Sequence, residues 1–164
     1  MLIQSQIKTP AGLLYVVARE HVLLGAGFRS FADLHQRMDD DEFRIGIKDV
    51  KKIPIISELI ENYFDGDLQA INGIAVRQPG SDFSQSVWKA MRKIPAGSTW
   101  SYADLAKKIG SPAAVRAVGT ACGKNLIAPI IPCHRVVKSG GAIGNYGYGV
   151  ATKELLLNHE GALQ

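Results

Sequence analysis

The sequence predicts two joined domains. Residues 1–80 read as a small α/β domain, an antiparallel sheet with helices, and residues 81–164 as a mainly helical domain carrying a helix-turn-helix. Three observations predict this. From Leu2 to Phe28 apolar and polar residues follow strand patterning around turn residues. Beyond residue 81 the apolar residues recur at helical spacing, bracketed by serine starts and glycine stops. Between the halves lies Gln78-Pro79-Gly80-Ser81, and the charge changes sign across it. Residues 1–80 carry nine Lys/Arg against eleven Asp/Glu, a net −2, and residues 81–164 carry ten against four, a net +6.

The elements follow in order. Leu2 to Ile7 and Leu13 to Ala18 flank the turn Thr9-Pro10-Ala11-Gly12 and form a hairpin, with a third strand at Val22 to Phe28. Ser30 to Met38 is a short helix, and Asp39-Asp40-Asp41-Glu42 a solvated loop. Ile55, Ile56, Leu59, Ile60, Tyr63 and Phe64 predict a helix from Pro54 to Phe64, ended by Asp65-Gly66. Nothing in this half has catalytic spacing, so it reads as a support. Phe83, Val87, Met91 and Ile94 form the next helical stripe, before the turn Pro95-Ala96-Gly97-Ser98. Ser101 caps a helix over Tyr102 to Ile109, which Gly110 ends. Ser111 and Pro112, as N-cap and first residue, start a second helix to Lys124. A last helix covers Thr152 to Asn158.

With 46% apolar and 21% charged residues, the composition is that of an ordinary globular chain rather than a disordered one. No apolar run approaches the roughly 18–20 residues that span a bilayer, and Met1 to Gln6 carries no secretory pattern, so no membrane association and an intracellular location are expected. Cys122 and Cys133 are expected as thiols. The four histidines are scattered without ligand spacing, so no metal is expected. The +6 half suits a polyanion, because phosphate neutralisation supplies most non-specific nucleic-acid affinity.

The chemistry concentrates in Ile131-Pro132-Cys133-His134-Arg135-Val136. A cysteine attacks only as thiolate, which a neighbouring cation favours. The hexapeptide alone equally allows a buried structural cysteine. The second helix of the pair gathers Ala114, Val118 and Ala121 on one face and Arg116, Gly119, Thr120 and Gly123 on another. Major-groove readers project several bulky polar side chains, whereas a smooth face with one long cation suits the minor groove, with the arginine entering the base stack. Gly119 and Gly123 each cost roughly 1 kcal/mol of helix stability relative to alanine. Close packing against another helix would also explain that cost.

Tyr102, the run Ala114-Val115-Arg116-Ala117-Val118-Gly119, Asn125, Pro132-Cys133-His134-Arg135-Val136-Val137, Gly144-Asn145-Tyr146 and Asn158-His159-Glu160-Gly161 stand in one order and spacing. In these residues the chain resembles the O6-alkylguanine-DNA alkyltransferases, closely over residues 82–162 and only in architecture before them. The resemblance implies a ribonuclease H-like first domain, a winged helix-turn-helix second domain and no cofactor. It further implies direct-reversal DNA repair by a monomeric, cytoplasmic (in a bacterium, nucleoid-associated) protein that acts once. Its partner would be double-stranded DNA carrying O6-alkylguanine, with O4-alkylthymine as a further substrate. Cys133 would be the alkyl acceptor, His134 its relay through a water, and Glu160 the group orienting His134. Asn125 would hold the turn carrying the segment. Tyr102 would contact the target phosphate, help to swing the nucleotide out and donate in the pocket. Arg116 would fill the gap left by the everted base, with Ala117, Gly119, Thr120, Gly123 and Arg135 among the DNA contacts. Tyr146, Gly147, Val136 and Cys122 would line the base pocket, the backbone at Val136 and Cys133 accepting from the guanine's exocyclic amine. The chain departs from the family pattern at Leu126 and Ala128, where prolines are usual, at Gly147, often serine, and at Cys122 on the recognition helix. The zinc that some members hold in the first half has no visible ligand set here.

Two other readings compete. A Cys-His hydrolase would need a remote histidine facing the thiol, and no oxyanion-hole or papain-like signature accompanies one. A non-enzymatic helix-turn-helix protein or alkylation-damage sensor would have no use for the nucleophile, yet Cys133 is present.

Overall fold

The computed structural model describes residues 1–38 and 40–163, leaving out the side chains of Asp40 and Glu42; Asp39 of the expected acidic loop lies outside the described residues. The chain divides into two units, Met1–Pro79 with Leu126–Ile130, and Gly80–Asn125 with Ile131–Gln164. Leu126–Ile130 thus belong to the first unit, although the sequence boundary near residue 80 assigns them to the second.

The first unit is built on a five-stranded sheet of order β4-β1-β2-β3-β5. Strands β1 (Leu2–Thr9), β2 (Gly12–Arg19) and β3 (Val22–Gly27) form an antiparallel meander. The first turn closes tightly between Thr9 and Gly12, whose φ of 114° suits glycine. Two short strands, β4 (Ile47–Asp49) and β5 (Ala75–Val76), add parallel to β1 and β3. Neither is legible in the sequence, because each is only two or three residues long and is held by a distant partner. Leu126–Ala128 prolong the β5 side of β3. The Ala26 amide donates to the Leu126 carbonyl at 2.8 Å, and the Ala128 amide to the Ala26 carbonyl at 3.1 Å.

Leu2, Val17, Leu24, Leu34, Met38 and Leu126 form one buried cluster of this unit. Helix α1 (Phe31–Arg37) starts where Ser30 Oγ accepts from the Asp33 amide. Helix α2 (Ile56–Phe64) starts later than its periodicity suggests, since Ile55 sits at φ 70° and stays exposed. The buried face is Ile56, Ser57, Ile60 and Tyr63. The stretch after Asp39 includes a 3₁₀ turn, Asp40–Phe43.

The second unit is mainly helical. Helix α3 (Asp82–Met91) is capped by Ser81, and α4 (Tyr102–Lys108) by Ser101 in a reciprocal box with Asp104. Gly110, at φ 78°, ends that helix turn. Helix α5 spans Val115–Gly123, so the expected start at Ser111 and Pro112 is incorrect. The Ala114 amide donates to the Ser111 carbonyl, closing a turn that uses up those residues before the helix begins. Helices α3, α4 and α5 pack on one another. Trp88 fixes α3 to α5 by donating from Nε1 to the Ala121 carbonyl at 2.9 Å. A parallel pair, β6 (Trp100–Ser101) with β7 (Val136–Val137), ties the start of α4 to the segment after Cys133. Helix α6 (Val150–His159) completes the unit. No helix among the described residues is long and apolar enough to cross a membrane.

Candidate active site

Cys133 opens a single 3₁₀ turn, Cys133–Arg135, directly before β7. It is partly exposed, while His134 and Arg135 behind it are buried. The turn is held from α5, since Asn125 at the end of that helix donates from Nδ2 to the Ile131 carbonyl at 2.8 Å. The same amide lies 3.3 Å from Cys133 Sγ, donating to the sulfur, and a donor there favours the thiolate. Asn125 therefore both holds the turn, as the resemblance implies, and touches the thiol.

His134 is fully buried, with Nε2 2.9 Å from Glu160 Oε2. Glu160 is the C-cap of α6, an unfavourable place for a carboxylate by the helix dipole. Burial also works against its charge, but hydrogen bonds from His134 and Arg135, with their charges, outweigh it and bring Glu160 down to about 2. Glu160 is thus a carboxylate at neutral pH, so Nε2 of His134 is the donor in their bond. Burial lowers the His134 pKa against the pull of Glu160, with Arg135 and Lys153 adding to the lowering, which favours the neutral imidazole. Its Nδ1 is buried and has no hydrogen-bond partner in the protein.

Arg135 is not a DNA contact, and that expectation is corrected. At 2% exposure its guanidinium faces inward, donating from Nε to Glu160 Oε1 at 2.9 Å, from Nη2 to Oε2 at 2.7 Å, and from Nη1 to the Ile94 carbonyl at 2.7 Å. Charge alone cannot separate a phosphate-facing arginine from one that neutralises a carboxylate, and here the carboxylate takes it.

Lys153 is a functional candidate that the sequence reading missed. It is fully buried and donates to the Val136 carbonyl at 2.7 Å and the Asn145 carbonyl at 3.2 Å, joining β7 to the glycine- and tyrosine-rich loop. Burial lowers its pKa, and the two cysteines raise it. The signal was available. Lys153, Leu156, Leu157 and Glu160 sit at helical spacing and form one buried stripe.

Tyr102, the first residue of α4, is half-buried. Burial, then Cys122 and Cys133, raise its pKa, so the phenol remains a proton donor at neutral pH. Cys122 is buried, its sulfur 3.6 Å from Met91 Sδ, and burial with Cys133 pushes it up to about 12. Its thiol is spent inside the unit, which weakens its expected place against a base. The side chain of Val136 is buried, and its carbonyl, accepting from Lys153, keeps a second lone pair. Tyr146 is half-buried in an edge-on pair with Tyr148 at 5.6 Å, and Gly147 is exposed beside it.

On α5, Arg116, Ala117, Thr120 and Gly123 are exposed and Gly119 half-exposed. Among the described residues no ion pair holds Arg116. Thr120 Oγ1 donates back to the Arg116 carbonyl at 3.1 Å. A Cβ on Gly123 would meet nothing within 4 Å, and one on Gly119 would only touch the Tyr102 ring at 4.0 Å. Packing within the protein therefore does not require either glycine. Of the ten cations in this half, Arg135 and Lys153 are buried, and of its four acids Glu160 is buried, leaving eight against three near the surface.

Residues 82–162 match the family described as 6-O-methylguanine DNA methyltransferase, DNA binding domain. A methylated-DNA–protein-cysteine methyltransferase of Shigella flexneri is 36% identical, covering 99% of this chain and 97% of its own length. One from Salmonella typhimurium is 37% identical with the same coverage. The crystal structure of Mycobacterium tuberculosis OGT in complex with DNA is similar over 98% of this chain and 93% of its own, at 31% identity and a TM-score of 0.80.

Proposed function

The chain belongs to the methylated-DNA–protein-cysteine methyltransferase family, and from that premise we propose that it repairs alkylated DNA by moving the alkyl group of O6-alkylguanine onto Cys133. One observation carries the choice of residue. Cys133 alone presents a partly exposed sulfur, contacted by the Asn125 amide and followed by the buried His134–Glu160 pair. The other thiol, Cys122, is buried and held protonated.

The lesion's reactive carbon is stacked inside the duplex, so the base has to leave the helix, at a cost of a few kcal/mol. Helix α5 meets the minor groove with its smooth face, and Arg116 occupies the vacated position. The absence of any internal need for Gly119 and Gly123 supports this reading, since an approaching duplex does need a flat face. The eight cations near the surface supply non-specific attraction to phosphate.

In the chemical step the Cys133 sulfur attacks the alkyl carbon in line. The S–C bond forms as the C–O6 bond breaks, and its electron pair passes into the guanine ring. The thiol proton moves to His134 Nδ1 through a bridging water, and the neutral phenol of Tyr102 donates to the departing base. In the net reaction a thiol and an O6-alkylguanine become a thioether and a guanine bearing a proton on N1. No group in the site can cleave the thioether, so each molecule acts once, as a monomer, in the compartment that holds the DNA. We read the first unit as ribonuclease H-like, its β3-β2-β1-β4 order supporting this, and α4–α5 with the β6–β7 pair as a winged helix-turn-helix.

Titration with a duplex containing one O6-methylguanine tests the proposal. Repair should stop at one lesion per protein molecule, and Cys133→Ala should repair none. Continued turnover would contradict it. Arg116→Ala should slow repair of the duplex far more than reaction with free O6-benzylguanine; equal losses would make Arg116 a structural residue.

A further inference from the structure

We propose that Arg135 is a positioning residue that balances the charge of Glu160 and so keeps His134 a neutral base, ready to take the Cys133 proton. This rests on Cys133 as the acceptor and adds what sets the state of its base. A lone buried carboxylate beside a histidine favours the imidazolium, and an imidazolium cannot accept a proton. Here the carboxylate is shared. Arg135 grips both oxygens of Glu160 at 2.9 and 2.7 Å, and one of those oxygens, Oε2, is the atom that His134 Nε2 contacts at 2.9 Å. A third bond to the Ile94 carbonyl fixes the guanidinium from the end of the α3 region, so it cannot swing away.

The charged groups around His134 come from three sides. Arg135 lies on its own turn, and Glu160 and Lys153 at opposite ends of the buried stripe of α6, while the Cys133 thiol precedes it. Counted together, these give one anion against two fixed cations. Arginine suits the position because it is charged at any accessible pH and its planar fork matches a carboxylate. During transfer the proton that leaves Cys133 Sγ arrives on His134 Nδ1, the imidazolium forms against Glu160, and the proton then leaves toward the departing guanine. Glu160 thus supports the charge when it develops, while Arg135 prevents it from being present beforehand.

The test uses the full chain labelled with ¹⁵N in its histidines, the His134 signals being assigned by their loss in His134→Gln. At pH 7 the native protein should show His134 with a protonated Nε2 and a bare Nδ1. Arg135→Gln should render it doubly protonated at pH 7. The pH profile for O6-benzylguanine transfer should then move up by about one to three pH units. Glu160→Gln should move the profile down, the opposite direction, and Arg135→Lys should keep the native imidazole state by keeping the charge. A role confined to folding would lower rates without moving profiles in opposite directions. An imidazolium at pH 7 in the native protein, measurable even if Arg135→Gln does not fold, overturns the proposal, as does an unchanged His134 in folded Arg135→Gln. Failure of Cys133 to accept the benzyl group would instead overturn the assignment of the acceptor, which the imidazole signals do not report.

Discussion

In the first unit the buried polar side chains, among the described residues, are Gln4, Ser5, Ser57 and Gln78, none of them ionisable. In the second they are Ser84, Asn125, His134, Arg135, Lys153 and Glu160, and four of these six can carry charge. Removing an ion from water costs several kcal/mol even after relaxation, and a buried ion pair is weak evidence for stability. A unit of this size needs no such group to fold, as the first unit demonstrates with apolar strands and a few amides. The four ionisable groups all lie between residues 134 and 160, next to the one partly exposed thiol. The contrast teaches that buried charge in this protein is gathered beside Cys133, where the proposed transfer has a use for it.

The largest difference should appear when one buried polar group is removed from each unit. Glu160→Ala strands the Arg135 guanidinium and should cost about 3–5 kcal/mol. Gln78→Ala removes a neutral amide, whose oxygen accepts from the Leu126 amide, and should cost about 1–3 kcal/mol. Urea unfolding of the two variants measures both, and equal losses would break the comparison.

Acid should sharpen the same contrast. His134 and Glu160 both have folded pKa values below their unfolded ones, so the folded state binds fewer protons and stability falls as pH falls. The His134 contribution is complete above the ordinary histidine value of 6.5 and begins to be lost as pH drops below it. The Glu160 contribution is lost from the ordinary glutamate value of 4.5 down to about 2. In the first unit His35 is also lowered by burial, partly opposed by Asp49, and is only half-buried. His134→Gln should therefore flatten the loss of stability between pH 6.5 and 5 more than His35→Gln does. The reverse order, in denaturant melts across that range, would place the acid-sensitive group in the support.

What was legible in the sequence follows the same division. The hairpin, the third strand and the Ser101 cap are local, set by residues a few positions apart, and they read correctly. The short strands β4 and β5 and the docking of Leu126–Ala128 on β3 depend on distant partners, and no local pattern announces them. Cys133 stands out from its own hexapeptide, whereas the roles expected of His134 and Glu160 come from the family resemblance. The pairing of Arg135 with Glu160 has no such signal, since it joins residues 25 positions apart and the resemblance places Arg135 among the DNA contacts. The Ser111-Pro112 signal was read as a cap because a serine before a proline serves both a turn and a helix start, and the Ala114–Ser111 bond decided for the turn.

The smallest effect is one in which the units should agree. Ser30 and Ser101 each accept from a first-turn amide at 2.9 Å, and alanine at either should cost about 1 kcal/mol. Only Ser101→Ala should also slow transfer, because it loosens the start of α4, where Tyr102 stands. Slower transfer in Ser30→Ala would extend the active site beyond the second unit.

The measurement that bears most directly on the account is the location of the transferred methyl group. The protein is reacted to completion with O6-methylguanine duplex, digested, and its two cysteine-containing regions weighed by mass spectrometry. The account predicts one methyl on Cys133 and an unmodified Cys122. Methyl on Cys122, or on neither cysteine while the lesion disappears, would contradict it.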